Sequence, residues 1–192
     1  MKESRIKVAG LWLRVREAGE GEPLLLIHGL WANENVCGPV EAALNDRRLI
    51  TIDLPGMGRS SVPGRSLRVA GIARIVSGAL DVLGYGRVDV LGYSLGGAVI
   101  QNLARQEPDR VRRLALVSTF CGFGTGPGSP AAIVSTSLPI RYYWPWFYER
   151  SYLWTVGGRK PPPEKMREQI ARCSETPPPV LGYLWQWIAA CS

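Results

Sequence analysis

The feature that most constrains this chain is an alternation of short apolar runs with longer segments of helical periodicity. The apolar runs are Leu24–Ile27, Leu49–Asp53, Val88–Leu91 and Leu114–Val117. Short runs that lack polar alternation are typical of strands buried on both faces of a sheet. When such strands alternate with helices, a parallel sheet with right-handed crossovers is favoured. The sequence therefore predicts an α/β protein.

The helices and the first strands of this sheet can also be placed. Lys7–Gly10 and Leu11–Glu17 are interpreted as a short antiparallel pair. One helix is expected to begin after Ser66 as its N-cap and to end at Gly84, which follows the last apolar position. A second helix is predicted over Leu95–Gln106, just before a proline.

The composition of the chain changes after residue 119. A glycine- and proline-rich stretch follows, and the remainder lacks strand alternation. We predict an α/β core over residues 1–119 and a helical cap over residues 120–192, with helices at Glu164–Cys173 and Val180–Ala190. The last of these is apolar nearly all round, with Leu181, Leu184, Trp185 and Ile188 on one face, so it is expected to be buried on more than one side.

Composition narrows the classes of function. The 192 residues carry a net charge of +7, but the arginines are scattered and no nucleic-acid-binding motif is present. No secretory signal or membrane-spanning run is evident, so the expected location is cytoplasmic, with no membrane partner. The four cysteines have no metal-ligand spacing, and no nucleotide or flavin motif occurs. We expect no metal and no cofactor.

The strongest chemical signal is Gly92-Tyr93-Ser94-Leu95-Gly96, followed by Gly97. It lies directly after a buried strand and directly before a helix, the setting of a nucleophile elbow. A serine at such a sharp turn tolerates strained dihedral angles only where its neighbours are small, and the elbow glycines provide that clearance. Ser94 is the predicted nucleophile. The alternative is an incidental glycine-rich turn.

Two further motifs follow strands: His28-Gly29-Leu30, and Asp53-Leu-Pro-Gly-Met-Gly-Arg-Ser60. Together with the elbow, and in this order, they resemble the α/β-hydrolase family over about residues 6–119. The segment Gly182–Trp187 and the Asp53 loop resemble, within that family, the intracellular polyhydroxyalkanoate depolymerases. The resemblance implies a mostly parallel sheet under a helical cap, and ester hydrolysis through an acyl-enzyme.

The same resemblance implies roles for residues around Ser94. The backbone N–H groups of Leu30 and Leu95 are expected to form the oxyanion hole. His28 and Gly29 are expected to support that loop, and Asp53 to organise its own turn rather than to act in catalysis.

The sequence offers neither a general base nor a catalytic acid in the positions the family uses. His28 is the single histidine and lies on the oxyanion side. The last strands of the sheet are expected to be missing, which leaves Leu114–Val117 as an open edge. A truncated chain, or a complementing C-terminal segment from a partner, would account for this. Alternative functions are a non-catalytic binding module, a polyhydroxyalkanoate depolymerase and a perhydrolase.

Aromatic residues indicate the substrate class. Trp31, Tyr93, Trp144 and Trp185 are candidates for the wall of a substrate pocket. An aromatic lining suits an apolar acyl or alcohol group, so a small apolar ester or a polyester is the expected substrate. The alternative is that these side chains only pack the cap onto the sheet.

Overall fold

The computed structural model describes residues 2–30, 32–33, 37–44, 46–121, 143–155 and 159–191. The strands are β1 (Lys2–Val8), β2 (Leu11–Ala18), β3 (Pro23–Ile27), β4 (Arg48–Ile52), β5 (Val88–Tyr93) and β6 (Val111–Val117). The helices are α1 (Gly38–Ala43), α2 (Val69–Leu83), α3 (Leu95–Gln106), α4 (Pro145–Thr155), α5 (Pro163–Ser174) and α6 (Val180–Ala190).

The six strands form one sheet in the order β1-β2-β4-β3-β5-β6. The pairs β4–β3, β3–β5 and β5–β6 are parallel, whereas β1–β2 and β2–β4 are antiparallel. The prediction of an α/β fold with a mostly parallel sheet is confirmed. In a parallel sheet the carboxyl ends of the strands meet at one edge, so the loops after β3, β4 and β5 come together there.

The predicted double burial of the central strands is present. Along β3, Leu25 and Ile27 face the main core with α2 and α3, while Leu24 and Leu26 face a smaller cluster that includes Val40 of α1. These four leucine and isoleucine side chains are at most 7% exposed. Because both faces are covered by helices, the strand needs apolar residues at every position.

The predicted antiparallel pairing of the first two strands is confirmed, but the bounds of the first strand are wrong. Lys7–Gly10 is not a strand unit: β1 spans Lys2–Val8, and Ala9 and Gly10 form the turn with positive φ angles of 48° and 82°. The outer face of β1 is charged, and Arg5 and Lys7 lie 5.8 and 5.9 Å from the ring centre of Trp12 on β2. The long aliphatic parts of such side chains can cover an aromatic ring while their charges stay in water, and this makes the strand look polar in sequence.

Helix ends were predicted with mixed success. The first long helix begins at Val69 after Arg68 and has no side-chain cap, so the expectation of a Ser66 N-cap is wrong. Its end at Gly84 is confirmed, since that glycine adopts the left-handed conformation with a φ of 81°. α3 spans Leu95–Gln106 as predicted.

An ion cluster joins three strands at their amino ends. The carboxylate of Asp89 on β5 accepts hydrogen bonds from Arg47 before β4, at 2.6 Å, and from Arg112 on β6, at 2.7 and 2.9 Å. These contacts, led by the Arg112 hydrogen bonds, lower the pKa of Asp89 far below its ordinary value. The cluster fixes the strands at the edge opposite the predicted site.

The last helix packs with a different face from the one expected. α6 buries Gly182, Tyr183, Gln186 and Ala189, whereas Leu181, Leu184 and Ile188 are 46%, 49% and 45% exposed. The reason is close backbone contact, because Gly182 lies directly on Gly56 in the loop after β4. Only a residue without a side chain at position 182 allows that approach. α4 and α5 share a separate cluster of Tyr148, Tyr152, Met166 and Ile170.

β6 is the edge of the sheet, as the sequence predicted for this segment. Leu114, Leu116 and Val117 are 42%, 44% and 41% exposed. An apolar edge strand with open backbone groups is a template for pairing with another chain.

No described helix combines the length and apolar character needed to cross a bilayer.

We expect this edge to drive self-association of the 192-residue chain. Leu116→Lys should raise the highest protein concentration at which the chain remains monomeric, because the added charge opposes pairing at the edge of the sheet. Light scattering measures this concentration. The free energy of unfolding should change by less than about 0.5 kcal/mol, since Leu116 is already nearly half exposed to water. The matched control Leu184→Lys places the same charge on exposed α6. If the two variants behave alike, β6 is not the associating edge.

Candidate active site

Ser94 lies at the tip of a strained turn between β5 and α3. Its φ of 52° and ψ of −119° lie outside the regions that residues with side chains normally occupy. Two contacts hold it there: its N–H donates to the carbonyl oxygen of Val117 at 2.9 Å, and its own carbonyl oxygen accepts from Thr119 Oγ1 at 2.6 Å. The turn is therefore fixed by the carboxyl end of β6.

The elbow glycines are required by close approach of backbone. A Cβ atom on Gly92 would lie 2.5 Å from the carbonyl oxygen of Gly96, and one on Gly96 would lie 2.5 Å from that of His28. A Cβ on Gly97 would overlap the side chain of Thr119. Real Cβ atoms do not come so close, so the sequence pattern reflects the geometry of the turn.

The surroundings of the Ser94 hydroxyl suit attack on a carbonyl group. Within the described residues, this hydroxyl has no hydrogen-bond partner, and neither do the backbone N–H groups of Leu30 and Leu95. The loop that carries Leu30 is next to the serine, since a Cβ atom on Gly29 would lie 3.2 Å from Ser94 Cβ. Leu95 begins α3, so its amide has no acceptor within the helix. Backbone donors at a helix N-terminus favour developing negative charge.

His28 is engaged in the structure of the loop. It is 2% exposed, its Nδ1 lies 2.8 Å from the carbonyl oxygen of Gly29, and its Nε2 accepts the N–H of Leu54 at 3.0 Å. This pattern requires a neutral ring with the proton on Nδ1. Burial lowers the pKa of His28 below the ordinary 6.5, although the negative charge of Asp53 acts in the opposite direction. With both nitrogens in use, the ring has no free position to accept a proton from Ser94.

Asp53 organises the loop after β4. Its side chain is fully buried, and Oδ2 accepts the N–H of Arg59 at 3.0 Å and lies 3.7 Å from Arg14 Nη1. Its carbonyl oxygen accepts the hydroxyl of Ser60 at 2.7 Å. Gly58 has a φ of +50° and passes so close to the carboxylate that a Cβ atom would overlap it. These contacts agree with a role in the turn.

Three of the four predicted pocket residues lie within the described part of the chain. Tyr93 is 45% exposed, and its ring lies over Gly29 beside the serine. Trp185 Nε1 donates to the carbonyl oxygen of Pro63 at 2.9 Å, which attaches α6 to the loop after β4. Trp144 is 52% exposed just before α4, and Trp31 lies outside the described residues. Their roles as pocket walls stay predictions.

Sequence reasoning missed two residues near the site. Thr119 holds the Ser94 carbonyl, and Asn33 donates to Thr176 Oγ1 at 2.7 Å. Thr119 could have been found, because it follows a strand parallel to β5 and so lies at the same edge. Asn33 and Thr176 are 143 residues apart, and no local pattern links them.

Strain at Ser94 should be measurable as a difference in the free energy of unfolding between variants at this position. Ser94→Gly is expected to raise the free energy of unfolding by about 1 kcal/mol, because relief of the strained dihedral angles outweighs the added freedom of the unfolded chain. Ser94→Ala keeps the Cβ atom and should leave stability near that of the parent. Urea unfolding of the three proteins makes the comparison, and equal midpoints for glycine and alanine would rule out stored strain.

The buried neutral His28 should make stability depend on pH. Its folded pKa is lowered, so between that value and 6.5 the unfolded chain binds more protons. The free energy of unfolding should therefore fall as the pH drops below 6.5, with a slope of at most about 1.4 kcal/mol per pH unit. His28→Gln should lack this slope.

Asp89→Asn is the matched control for this measurement. The pKa of Asp89 is lowered from 3.8, so its contribution is lost only as the pH falls below that value. This variant should keep the slope between pH 6.5 and 5. If His28→Gln keeps the slope, the pH dependence comes from another titrating group.

Comparison of the sequence with known proteins gives several relatives. A poly(3-hydroxyalkanoate) depolymerase from Ectopseudomonas oleovorans is 34% identical over 169 residues, which cover 87% of this chain and 59% of that protein. A 2-hydroxymuconate semialdehyde hydrolase from a Pseudomonas species is 35% identical over 122 residues, covering 59% of this chain and 42% of that protein. The chain thus spans well under two thirds of the length of these relatives.

Solved structures agree on the fold. An esterase from Exiguobacterium antarcticum matches with a TM-score of 0.80 at 20% identity, covering 100% of this chain and 74% of that one. A thermophilic esterase from Thermogutta terrifontis matches with a TM-score of 0.75 at 24% identity, covering 100% and 73%. The sequence model of the alpha/beta hydrolase fold matches residues 22–159. On these grounds the chain belongs to the alpha/beta hydrolase family.

Proposed function

We propose that this chain carries the nucleophile of a hydrolase of carboxylic esters, and that Ser94 is that nucleophile. One observation carries the proposal. Ser94 holds strained dihedral angles at the start of α3, beside two backbone amides that have no other acceptor among the described residues. Proteins retain such strain where the surrounding structure imposes it, and it concentrates at active sites.

The chemistry follows from this placement. Ser94 Oγ attacks the ester carbonyl carbon, and its proton passes to a general base. The carbonyl oxygen becomes an oxyanion that accepts the N–H groups of Leu30 and Leu95. The tetrahedral intermediate then expels the alcohol, which takes up the proton from the base. A water molecule, activated by the same base, releases the acid and restores the serine.

The base in this scheme is an imidazole supplied from outside these 192 residues, by a further segment or by a partner chain. His28 is the chain's single histidine, and its ring already bonds to Gly29 and Leu54. Exposed β6 is the place where such a segment would join the sheet, because the Ser94 elbow rests on its carboxyl end.

A polyester of 3-hydroxy acids is the second candidate substrate. It is favoured by the 34% identity to a poly(3-hydroxyalkanoate) depolymerase over 87% of this chain. The half-exposed ring of Tyr93 beside Gly29 would line the entrance for either class of ester. Aromatic surface of this kind suits an apolar acyl chain.

The first test uses a fluorophosphonate, which reacts with activated serine hydroxyls. Residues 1–192 should be labelled slowly at Ser94, Ser94→Ala should not be labelled, and Ser66→Ala should match the parent. Ser66 is a suitable control because it lies partly exposed in the loop before α2, away from the elbow. Mass spectrometry of the labelled peptide gives the site. A label on another serine would contradict the assignment.

Turnover gives the second test. With no base, the steady-state hydrolysis of p-nitrophenyl butyrate by these 192 residues should be slower than that of a complete serine hydrolase by roughly 10⁶-fold, the loss caused by removing a triad histidine. A kcat of about 1–10³ s⁻¹, the ordinary range for enzymes, would show that the chain already contains its base. If Ser94 is labelled but no turnover is seen even after a C-terminal segment that carries a histidine is added, the alternative of a non-catalytic binding module is favoured.

A further inference from the structure

The loop that carries Leu30 is held from two opposite sides. On one side, His28 joins it to Leu54 in the loop after β4. On the other, Asn33 is 2% exposed and its Nδ2 donates to Thr176 Oγ1 at 2.7 Å and to the carbonyl oxygen of Thr176 at 3.3 Å. Thr176 lies between α5 and α6, so a segment far away in sequence fixes this loop.

The side chain of Leu30 is fixed by α6 itself. It packs against Met57 and Tyr183, which are 0% and 1% exposed, together with Trp187. Tyr183 therefore packs with both Met57 in the loop after β4 and Leu30, whose amide is the proposed oxyanion donor. Displacement of this ring would leave a cavity directly behind Leu30, and such cavities are costly in a packed interior.

α6 has little freedom to move relative to the sheet. Gly182 packs backbone to backbone on Gly56, and a Cβ atom on Gly56 would lie only 3.0 Å from Gly182 Cα. Trp185 adds its hydrogen bond to Pro63, and Ala189 reaches the main core. By contrast, the buried side chains of α4 and α5 pack in a cluster of their own.

We propose that Thr176 and Tyr183 are positioning residues for the backbone amide of Leu30, and that α6 is a fixed wall of the oxyanion loop rather than part of a moving lid. This rests on the role proposed for Leu30. Oxyanion donors stabilise the transition state because they are in position before the negative charge develops. A mobile loop would therefore lose part of this stabilisation. Thr176 and Tyr183 thus act through the position of Leu30, whereas the exposed face of α6 has no such role.

The test compares variants of the 192-residue chain in two measurements. Thr176→Val removes the acceptor hydroxyl at nearly constant shape, and Thr176→Ser retains it. Tyr183→Leu removes the ring behind Leu30, and Leu184→Ala, at a position 49% exposed on α6, is the matched control. The measurements are hydrogen exchange at the amide of Ala32, which donates to the carbonyl oxygen of Gly29 at 3.2 Å, and the rate of Ser94 labelling by a fluorophosphonate.

In Thr176→Val, exchange at the Ala32 amide should accelerate and labelling should slow by roughly five- to tenfold, the effect of about one lost hydrogen bond. Tyr183→Leu should act in the same direction. Thr176→Ser and Leu184→Ala should match the parent, and the melting temperature of Thr176→Val should stay within a few degrees. A purely structural role would lower the melting temperature without this selective effect on the loop.

Two results would overturn the proposal. One is unchanged exchange at the Ala32 amide in both Thr176→Val and Tyr183→Leu. The other is an equal loss of labelling in Leu184→Ala, which would indicate general loosening of α6. If the parent is not labelled at all, the proposed function fails, while the exchange data still decide whether Thr176 and Tyr183 hold the loop.

Discussion

The site depends on one close crossing of two backbones. The first turn of α3 lies so near the end of β3 that a Cβ atom at Gly96 would lie 2.5 Å from the carbonyl oxygen of His28. This contact brings the Ser94 turn beside the loop that carries Gly29 and Leu30. Neither element could create that arrangement alone, because each contributes only part of the polar set.

A strained turn at the site is supported by ordinary structure elsewhere. The dihedral angles of Ser94 cost about 1–3 kcal/mol, a substantial part of the few kcal/mol by which a domain is stable. The carbonyl oxygen of Val117 and the hydroxyl of Thr119 hold the turn, and the doubly covered strands β3 and β5 hold its base. Strain at Ser94 is thus maintained by residues with no chemical role.

The sequence predicted those parts of the molecule that are determined by residues close together in the chain. Leu24–Ile27 was recognisable because burial on both faces requires a continuous apolar run, and the elbow because its glycines follow from clearance around Ser94. β1 was misplaced because its outer face is charged around Trp12. The contact between Asn33 and Thr176 had no local signal, since only the folded chain brings them together. The face with which α6 packs depended on the backbone of Gly56, which hydrophobic periodicity does not report.

The arginine–carboxylate cluster around Asp89 has a consequence for how such a protein can change over time. It ties β4, β5 and β6 together at their amino ends, on the side of the sheet away from Ser94. Register is therefore secured without help from the loops at the carboxyl ends. Exposed positions in those loops can therefore be substituted without disturbing the alignment of the strands, whereas Gly56 and Gly58 are held by close contacts that exclude a side chain.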